Sequence, residues 1–445
     1  MKTCIRSITS VAALAAAWAM VSMTTALPAL AQAAAPPATM NSGDMAWMLT
    51  STVIVLMMTI PGLALFYGGM VRKKNALATV MQSFAAACLL TIVWMVVGYS
   101  IAFGDGGEFN AYYGGFSKMF FAGMTKDGLF APLTITESLF ATFQMTFAII
   151  TPALIAGAVA DRMKFSSFLV FITLWLIIVY APVCHWVWGG GFLGTAGVMD
   201  FAGGTVVHIN SGIAGLVAAI VLGRRKGYGA ENMAPHNLVY TVIGASLLWV
   251  GWFGFNGGSA GAANDSAAMA ILVTQICAAA AALAWMFAEW VTHGKPSVLG
   301  IASGAIAGLV VITPAAGFVD PKGALIMGLI GGVVCFIAST GIKRMLGYDD
   351  SLDVFGIHGV GGFTGAILTG VFAVAWVGGE GKSGLLEGNP AQVWTQFYGT
   401  IATIVWCAVA TFVILMVIKL FMGLRVDEQT EVEGLDARLH GETVP

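Results

Sequence analysis

The fold of this chain is decided by two stretches, Asp200-Phe-Ala-Gly-Gly-Thr-Val-Val-His208-Ile-Asn-Ser-Gly212-Ile-Ala-Gly215 and Asp353-Val-Phe-Gly-Ile-His358-Gly-Val-Gly-Gly362-Phe-Thr-Gly365. Both place His-x3-Gly-x2-Gly behind an aspartate. Glycines four and seven residues after each histidine clear one helix face, so two such helices can pack closely with both imidazoles near a shared axis. Because a histidine inside an apolar segment is costly unless it is paired or lines a cavity, this spacing favours a paired functional site over two unrelated histidines.

The composition indicates a protein embedded in lipid. Of its 445 residues 58% are hydrophobic and 9% charged, whereas soluble domains carry about 25% charged residues. So few charges cannot cover a water-exposed surface of this size. Apolar runs long enough to cross a bilayer predict eleven spans, at 46–70, 76–103, 133–159, 165–188, 201–223, 236–257, 267–291, 297–318, 323–345, 354–377 and 394–422.

Basic residues in the connecting loops predict the orientation of these spans. Alternate loops carry most of the lysines and arginines, beginning with Arg72, Lys73 and Lys74, which places the N-terminus outside and the C-terminus inside. The two histidine stretches fall on spans five and ten and therefore have opposite orientations in the membrane. We expect an all-α polytopic membrane protein with a five-plus-five inverted repeat around a central pore, and a site near the bilayer midplane.

The ends of the chain differ from its middle. Residues 1–31 read as a cleaved signal peptide, with a charged start, an apolar stretch and Ala29-Leu30-Ala31 as the cleavage site. The alternative, a twelfth membrane helix, is disfavoured by Pro28 and the Ala/Pro-rich segment that follows. Residues 32–45 are then a periplasmic segment, 46–422 the membrane domain, and 423–445 an acidic cytoplasmic tail, too polar to bury, that could dock on the protein's own loops or on a partner.

Several classes of protein are disfavoured. A formal net charge of −2 argues against a nucleic-acid partner. The six cysteines are scattered singly, which fits small buried hydrophobic residues and no metal or redox site. Without a nucleophile–base pair, metal cluster or nucleotide loop, we expect neither an enzyme nor a cofactor. The other four histidines, His185, His236, His293 and His440, are expected to be solvated or interfacial.

Aromatic residues gather at the predicted outer ends of spans three, four and six. Phe140, Phe143 and Phe147 share one helical face with Gln144, and the other two ends carry Trp186-Val-Trp188-Gly-Gly-Gly and Trp252-Phe-Gly-Phe255-Asn-Gly-Gly-Ser259. Aromatics at a membrane interface are ordinary belt residues. Beside glycines and one hydroxyl they also suit a recess in which rings attract a small cation and an oxygen accepts one N–H.

The chain resembles the bacterial ammonium transporters of the Amt/Mep/Rh family along nearly its whole length. The resemblance rests on both histidine stretches and on Ile60-Pro-Gly-Leu-Ala-Leu-Phe-Tyr-Gly-Gly69, Gly251-Trp-Phe-Gly-Phe-Asn256 and Glu433-Gly-Leu-Asp436, which occur in family order. It implies a homotrimer in the inner membrane with one pore per subunit. It also implies regulation by a PII-type signalling protein at the cytoplasmic face, although the tail could instead only steady the trimer.

The resemblance also implies a role for each site residue. Phe147, Trp188 and Ser259 would recruit ammonium, with Phe143 and Trp252 around them in the vestibule, and Phe147 with Phe255 would close the pore. His208 and His358 would line the lumen, and Asp200 would hold the structure near the recruitment site. Trp186, at a position where relatives often carry a smaller residue, would reshape the vestibule.

These residues suggest a mechanism in which ammonium loses its proton before or within the apolar lumen, so that ammonia passes the histidines. Two alternatives stay open: an ammonium sensor with little flux, and a neutral-gas channel of the Rh type. The absence of a long signalling domain after Gly423 counts against the sensor, and Trp188 counts against the gas channel.

Overall fold

A computed structural model describes residues 39–444, and these residues fold as a bundle of helices. Ten helices are long and apolar enough to cross a membrane, and an eleventh apolar helix is shorter. In chain order they are α1 Ser42–Met70, α2 Lys73–Phe103, α3 Glu137–Val159, α4 Phe165–Thr195, α5 Gly204–Leu222, α6 Leu238–Gly258, α7 Asp265–His293, α8 Val298–Ile312, α9 Pro321–Leu346, α10 Phe355–Phe372 and α11 Ala391–Met422.

The predicted all-α membrane class is confirmed, with helix ends within a few residues of most predicted ones. The largest differences are at α4, which continues to Thr195, and at α8, which ends at Ile312 although the apolar run continues to 318. The first residues after Ile312 are Thr313 and Pro314, and a proline has no N–H with which to continue a helix. The count of eleven spans and the inverted repeat stay predictions, and the signal peptide lies outside the described residues.

Polar side chains fix where many of these helices begin. The residue before the first turn accepts backbone N–H groups that the helix itself cannot satisfy. The side chains that cap a helix in this way are Asn41 at α1, Thr136 at α3, Asn237 at α6, Asn264 at α7, Ser297 at α8 and Asp320 at α9. In sequence they stand just before the apolar runs, which is why the run boundaries located the helices well.

The basic loops meet at one end of the bundle, called the inner end below. Arg72 Nε lies 3.0 Å from Asp161 Oδ2, and Arg225 pairs with Asp349 at 2.8 Å and with Asp161 at 3.5 Å. Burial raises the pKa of Asp349, but the hydrogen bonds and charge of Arg225 outweigh it, so this pKa is held below its ordinary value. The network therefore joins loops that are far apart in sequence.

The acidic tail docks on the protein's own loops at this inner end, which was one of the two expected docking places. Its residues Glu431 and Asp436 are buried there, which corrects the expectation that the tail is too polar to bury. The short helix α12, Glu428–Glu433, places Glu431 against Arg425, whose Nη2 lies 2.7 Å from Glu431 Oε2. Glu431 also accepts the backbone N–H of Lys226 at 2.7 Å. Its burial is possible because an arginine and a backbone donor satisfy the carboxylate.

Asp436 of the tail caps the start of α2. Its two carboxylate oxygens accept the backbone N–H groups of Leu77 at 3.0 Å and Ala78 at 2.7 Å, while the N–H of Leu435 donates to Asn75 Oδ1 at 2.8 Å. A carboxylate at a helix N-terminus is favoured by both the free N–H groups and the helix dipole. The last part of the chain thus completes a helix near its beginning.

Helices α5 and α10 cross where the two histidines lie. A Cβ on Gly212 would overlap the backbone of Gly359, and a Cβ on Gly362 would stand 2.8 Å from the carbonyl oxygen of Gly204 and 3.0 Å from His208 Cβ. Each glycine four residues after one histidine therefore faces the segment of the other. This reciprocal contact is what the sequence pattern predicted.

The described cysteines match the sequence prediction with one correction. Cys184, Cys277, Cys335 and Cys407 are buried as free thiols, whereas Cys88 is exposed on the surface of α2. Thiols are small enough to fill gaps in apolar packing, and at position 88 the same apolar character suits a helix surface that faces lipid.

Replacing Gly212 with alanine should separate α5 from α10. Because the added methyl group meets backbone atoms rather than a flexible side chain, we expect a loss of about 1–3 kcal/mol or failure to accumulate as folded protein. The measurement is the melting temperature of the purified protein in detergent. Gly341→Ala is the control, since its nearest neighbour would be a side-chain carbon at 3.8 Å. Equal melting temperatures for the two variants would contradict this role of Gly212.

Removing the carboxylate of Asp436 should release the tail. In Asp436→Ala the N–H groups of Leu77 and Ala78 lose their acceptor, so we expect faster trypsin cleavage after Arg438 while the membrane core stays intact. Cleavage is followed by the mass of the released fragment. Glu442→Ala, which changes an exposed tail residue, is the matched control and should be cut at the wild-type rate. Unchanged cleavage of Asp436→Ala would show that this cap does not hold the tail.

Candidate functional site

An aspartate begins each of the two histidine helices. Asp200 accepts four backbone N–H groups, those of Gly203 and Gly204 on Oδ1 and of Thr205 and Val206 on Oδ2, at 2.7–3.2 Å. This arrangement satisfies the donors left free at the start of α5. Asp200 thus caps the start of α5, and the role near the recruitment site that the resemblance implied for it stays a prediction.

The structural counterpart of Asp200 is Asp350, which corrects the pairing with Asp353 in the sequence analysis. Asp350 Oδ2 accepts the N–H of Phe355 at 2.7 Å, five residues on, as Asp200 Oδ2 accepts that of Thr205. Both carboxylates also stand eight residues before a histidine. Asp353 instead pairs with Lys343 at 2.7 Å. The spacing of eight residues between Asp200 and His208 recurs between Asp350 and His358, whereas Asp353 is only the aspartate nearest to His358.

The two histidines contact each other. His208 Nδ1 and His358 Nδ1 are 3.2 Å apart, and their ring centroids are separated by 5.3 Å at an interplanar angle of 22°. Such a pair needs one Nδ1 to donate and the other to accept. If both rings are neutral, one Nε2 is then an acceptor and the other an N–H donor. In the described residues His208 Nε2 is buried without a hydrogen-bond partner.

The histidines border a narrow apolar lumen of about 10 Å³, roughly the space that one water needs. Its remaining wall consists of aliphatic, methionine and aromatic side chains: Met58, Leu63, Phe66, Ile150, Leu154, Val207, Leu248, Trp252, Phe255 and Ile306. No charged side chain is among these lining residues. The lumen therefore has room for about one small molecule, and the polar side chains in its wall are the two imidazoles and the Trp252 indole.

Trp252 lies in this lumen and not in the vestibule, which corrects its predicted place. Its ring lies 5.5 Å from that of His208, and its Nε1 donates to Thr313 Oγ1 at 2.9 Å. On α6 it stands seven residues before Ser259, which on a helix is about 10 Å deeper along the axis. Proximity in sequence suggested a shared recess, but two helical turns separate the two residues.

Phe147 and Phe255 lie between the lumen and a second, wider cavity. Their ring centroids are 4.2 Å apart, and each side chain is 1% exposed. Phe255 also lies 6.1 Å from the His208 ring. Phe255 lines the lumen, and Phe147 packs on Phe143 and Trp188, which line the wider cavity, so the pair lies between the walls of the two cavities.

The wider cavity, the vestibule, has a volume of about 220 Å³ and is lined mainly by aromatic and aliphatic groups. Phe143, Trp188, Ser259 and Gln144 line it together with Phe103, Phe130, Phe140 and Phe201. Ser259 donates its hydroxyl hydrogen to the carbonyl of Phe255 at 2.7 Å, so its oxygen lone pairs remain free to accept. Among the lining residues none carries a charge.

Trp188 joins the vestibule to the start of α5. Its Nε1 donates to the carbonyl oxygen of Asp200 at 2.8 Å, and its ring meets Phe147 edge-on at 6.0 Å. The hydrogen bond fixes the orientation of the indole, and the same aspartate caps α5, which carries His208. Vestibule and lumen thus share one structural support.

Two further residues differ from their predicted surroundings. Trp186 does not line the vestibule; it packs on Phe192 and Trp406 and donates to the carbonyl of Tyr112 at 2.7 Å. His185, expected to be interfacial, is fully buried, with ring nitrogens 2.9 and 2.6 Å from the carbonyl oxygens of Ala102 and Asn110. The long loop after α2 folds over this helix end, which span counting does not reveal.

Other wall residues were not singled out from the sequence. Phe103 and Phe130 reach the vestibule from α2 and the loop before α3, and Phe130 stacks on Phe140 at 3.6 Å. Thr313, which anchors Trp252, stands just past the end of α8. No local pattern marks these positions, because they meet the site only through the fold. Within residues 39–444 no group of histidines, cysteines and carboxylates is placed to hold a metal.

Comparison with known proteins agrees with this architecture. Residues 46–444 match the model of the Ammonium Transporter Family. An ammonium transporter of Aquifex aeolicus is 51% identical over 92% of this chain and 94% of its own length, and one of Bacillus subtilis is 50% identical over 91% and 98%.

Solved structures with the same fold include Mep2 of Saccharomyces cerevisiae, with a TM-score of 0.81, 36% identity and coverage of 88% and 89%. A protein described as a sensor Amt protein has a TM-score of 0.82 and 28% identity, with coverage of 89% and 98%. Matches of this length and identity leave one conclusion: the chain belongs to the Ammonium Transporter Family.

Proposed function

We propose that this protein moves ammonium nitrogen across a membrane by recruiting the ammonium ion in the vestibule and passing ammonia through the lumen. The observation that carries the proposal is the contact of two histidines in a narrow lumen without charged lining residues. The rings of Phe147 and Phe255, with centroids 4.2 Å apart, lie at its border and would close it. The function is that of a transporter and not of an enzyme, as its relatives are named.

Recruitment uses Phe147, Trp188 and Ser259. The aromatic rings attract a small cation through their π faces, and Ser259 Oγ accepts one N–H because its own hydrogen is held by Phe255. Phe143 completes the wall. Because no carboxylate lines this cavity, the ion is bound weakly enough to move on.

The proposed selectivity for ammonium over other small cations depends on the ability of ammonium to lose a proton. An apolar lumen penalises any cation, and full burial lowers the pKa of a cationic acid by about 3–5 units. Ammonium relieves this penalty by giving up a proton to water before or within the lumen, whereas potassium and sodium have no proton to give. The proton crosses by a separate route, which the resemblance to the family implies, so net charge moves with the ammonia and a current results. This chemical difference separates ammonium from potassium, although their radii are similar.

Ammonia then passes His208 and His358. One imidazole nitrogen accepts an N–H of ammonia and the other donates to its lone pair, and both rings stay neutral. The separation of 3.2 Å between the two Nδ1 atoms holds the rings at fixed orientations along the lumen. The histidines thus replace hydrogen bonds that ammonia leaves behind in water.

The surroundings of the pore are part of the proposal. The positive loops support our proposal that the inner end lies in the cytoplasm of a bacterial cell and the vestibule on the periplasmic side of the inner membrane. We expect the subunit to act within a homotrimer, as the resemblance of the sequence to the family implies. A PII-type signalling protein binds the inner end, where the docked tail lies beside the basic loops.

A second candidate function is ammonium sensing with little flux. It is favoured by the similarity to the sensor Amt protein, which covers 98% of that chain. Purified protein in liposomes separates the two: ammonium binding without ammonium-driven flux supports the sensor, and flux supports the transporter. Ammonia flux without any ammonium-evoked current would instead indicate a neutral-gas channel of the Rh type.

The histidines give the sharpest prediction for transport. We expect His208→Ala combined with His358→Ala to abolish the ammonium-evoked current in liposomes or to let potassium pass as well, because the wider and wetter lumen no longer requires deprotonation. The measurement compares ammonium and potassium currents of variant and wild type.

His293→Ala is the matched control, since this histidine is exposed at the inner end of α7, and it should leave both currents unchanged. A double variant that carried ammonium with wild-type rate and selectivity would sink the role assigned to the pair.

A further inference from the structure

Gln144 is a polar side chain of the vestibule that the steps above do not use. It lies on α3 on the same face as Phe140, Phe143 and Phe147, is half-buried, and lines the cavity that also contains Ser259. Within residues 39–444 its amide makes no hydrogen bond, and its Oε1 is buried without a partner.

An amide in such a position needs an explanation. Buried side-chain polar atoms in proteins nearly always have a hydrogen-bond partner, and an exception costs free energy. The neighbours of Gln144 in the vestibule are mainly rings and aliphatic groups, which offer no donor. A leucine or methionine would fill the same space without this cost, so the partner of the amide is to be sought in whatever occupies the cavity.

The polar atoms of the vestibule wall differ in what they can still bind. The Trp188 N–H already donates to the carbonyl oxygen of Asp200. The Ser259 hydroxyl donates its hydrogen to the carbonyl oxygen of Phe255, and its own oxygen remains free to accept. The side-chain amide of Gln144 makes no hydrogen bond within the described residues. It can therefore rotate about its last torsion and turn either its oxygen or its NH₂ group toward the cavity. Two side-chain oxygens, Ser259 Oγ and Gln144 Oε1, are therefore available as acceptors.

We propose that Gln144 is a second acceptor for recruited ammonium and a determinant of specificity at that site, an inference that rests on the proposed function. Ammonium has four N–H donors in a tetrahedral arrangement, so it can donate to both oxygens while the rings contact its other faces. Being neutral, the amide adds a hydrogen bond without the strong attraction for every cation that a carboxylate would bring.

A consequence is discrimination by the number of N–H groups. Methylammonium has three donors and one methyl group, and the methyl group must occupy part of the space near an acceptor. A site with two acceptors therefore loses more when methylammonium replaces ammonium than a site with one. Removing the oxygen of Gln144 weakens binding of ammonium more than binding of methylammonium.

The test is Gln144→Met, which keeps length and volume and removes the acceptor. ¹⁵N-ammonium and ¹⁵N-methylammonium are titrated by NMR against purified full-length protein, so the result does not depend on transport. We expect the dissociation constant for ammonium to rise about 3- to 10-fold, the usual effect of one hydrogen bond, and that for methylammonium to rise less. Thr142→Val, on the opposite and exposed face of α3, should change neither constant.

Two other results of the titration would overturn the inference. Unchanged ammonium binding by Gln144→Met, or an equal loss for both guests, would overturn the inference, because the amide would then serve water or packing alone. Flux in liposomes tests the proposed function separately. If the wild-type protein binds ammonium without transporting it, the proposed transport function is wrong. The titration still decides whether Gln144 is an acceptor for bound ammonium.

Discussion

The structure depends on one close approach, the crossing of α5 and α10 at Gly212 and Gly362. Only because neither position has a side chain do the two helices come near enough for His208 and His358 to share a hydrogen bond. The carboxylates of Asp200 and Asp350 then satisfy the free N–H groups where these helices begin inside the protein. Without those caps the helix starts would leave unsatisfied donors in an apolar interior.

The same supports reach outward to the vestibule. Asp200 holds the indole of Trp188 through its backbone carbonyl, while its side chain begins the helix that carries His208. The vestibule and the lumen are therefore connected through one residue that lines neither cavity. At the other end, Arg225, Asp161 and Asp349 join the loops, and Asp436 of the tail caps α2. The tail thus contacts a membrane helix directly.

Charge is arranged with a clear division. Ion pairs concentrate at the inner end, while the walls of both cavities contain no charged side chain among the residues that line them. On the proposed path a cation would meet rings and neutral oxygens in the vestibule first and the apolar lumen second. In the proposed mechanism this order makes deprotonation the least costly route for ammonium and leaves potassium with no comparable route.

Much of this could be predicted from sequence because the determining features are local. Apolar runs and capping residues gave the helices, and the repeated spacing of His208 and His358 gave the pair. Three features could not be predicted in this way, since each depends on which segments meet in space. They are the position of Trp252 in the lumen wall, the residues that Trp186 contacts, and the burial of His185. Asp350 is predictable from sequence, because it stands eight residues before His358 as Asp200 stands eight residues before His208.

The most direct test of the central claim, that an N–H bond of ammonium is broken on the way through, is the solvent isotope effect on transport. Ammonium-driven uptake and current are measured for wild-type protein in liposomes in H₂O and in D₂O, with potassium carried by an ionophore in the same vesicles as the reference. The account predicts that deuterium slows ammonium transport severalfold more than the potassium reference. An isotope ratio equal to that of potassium would mean that the ion crosses intact, and would contradict it.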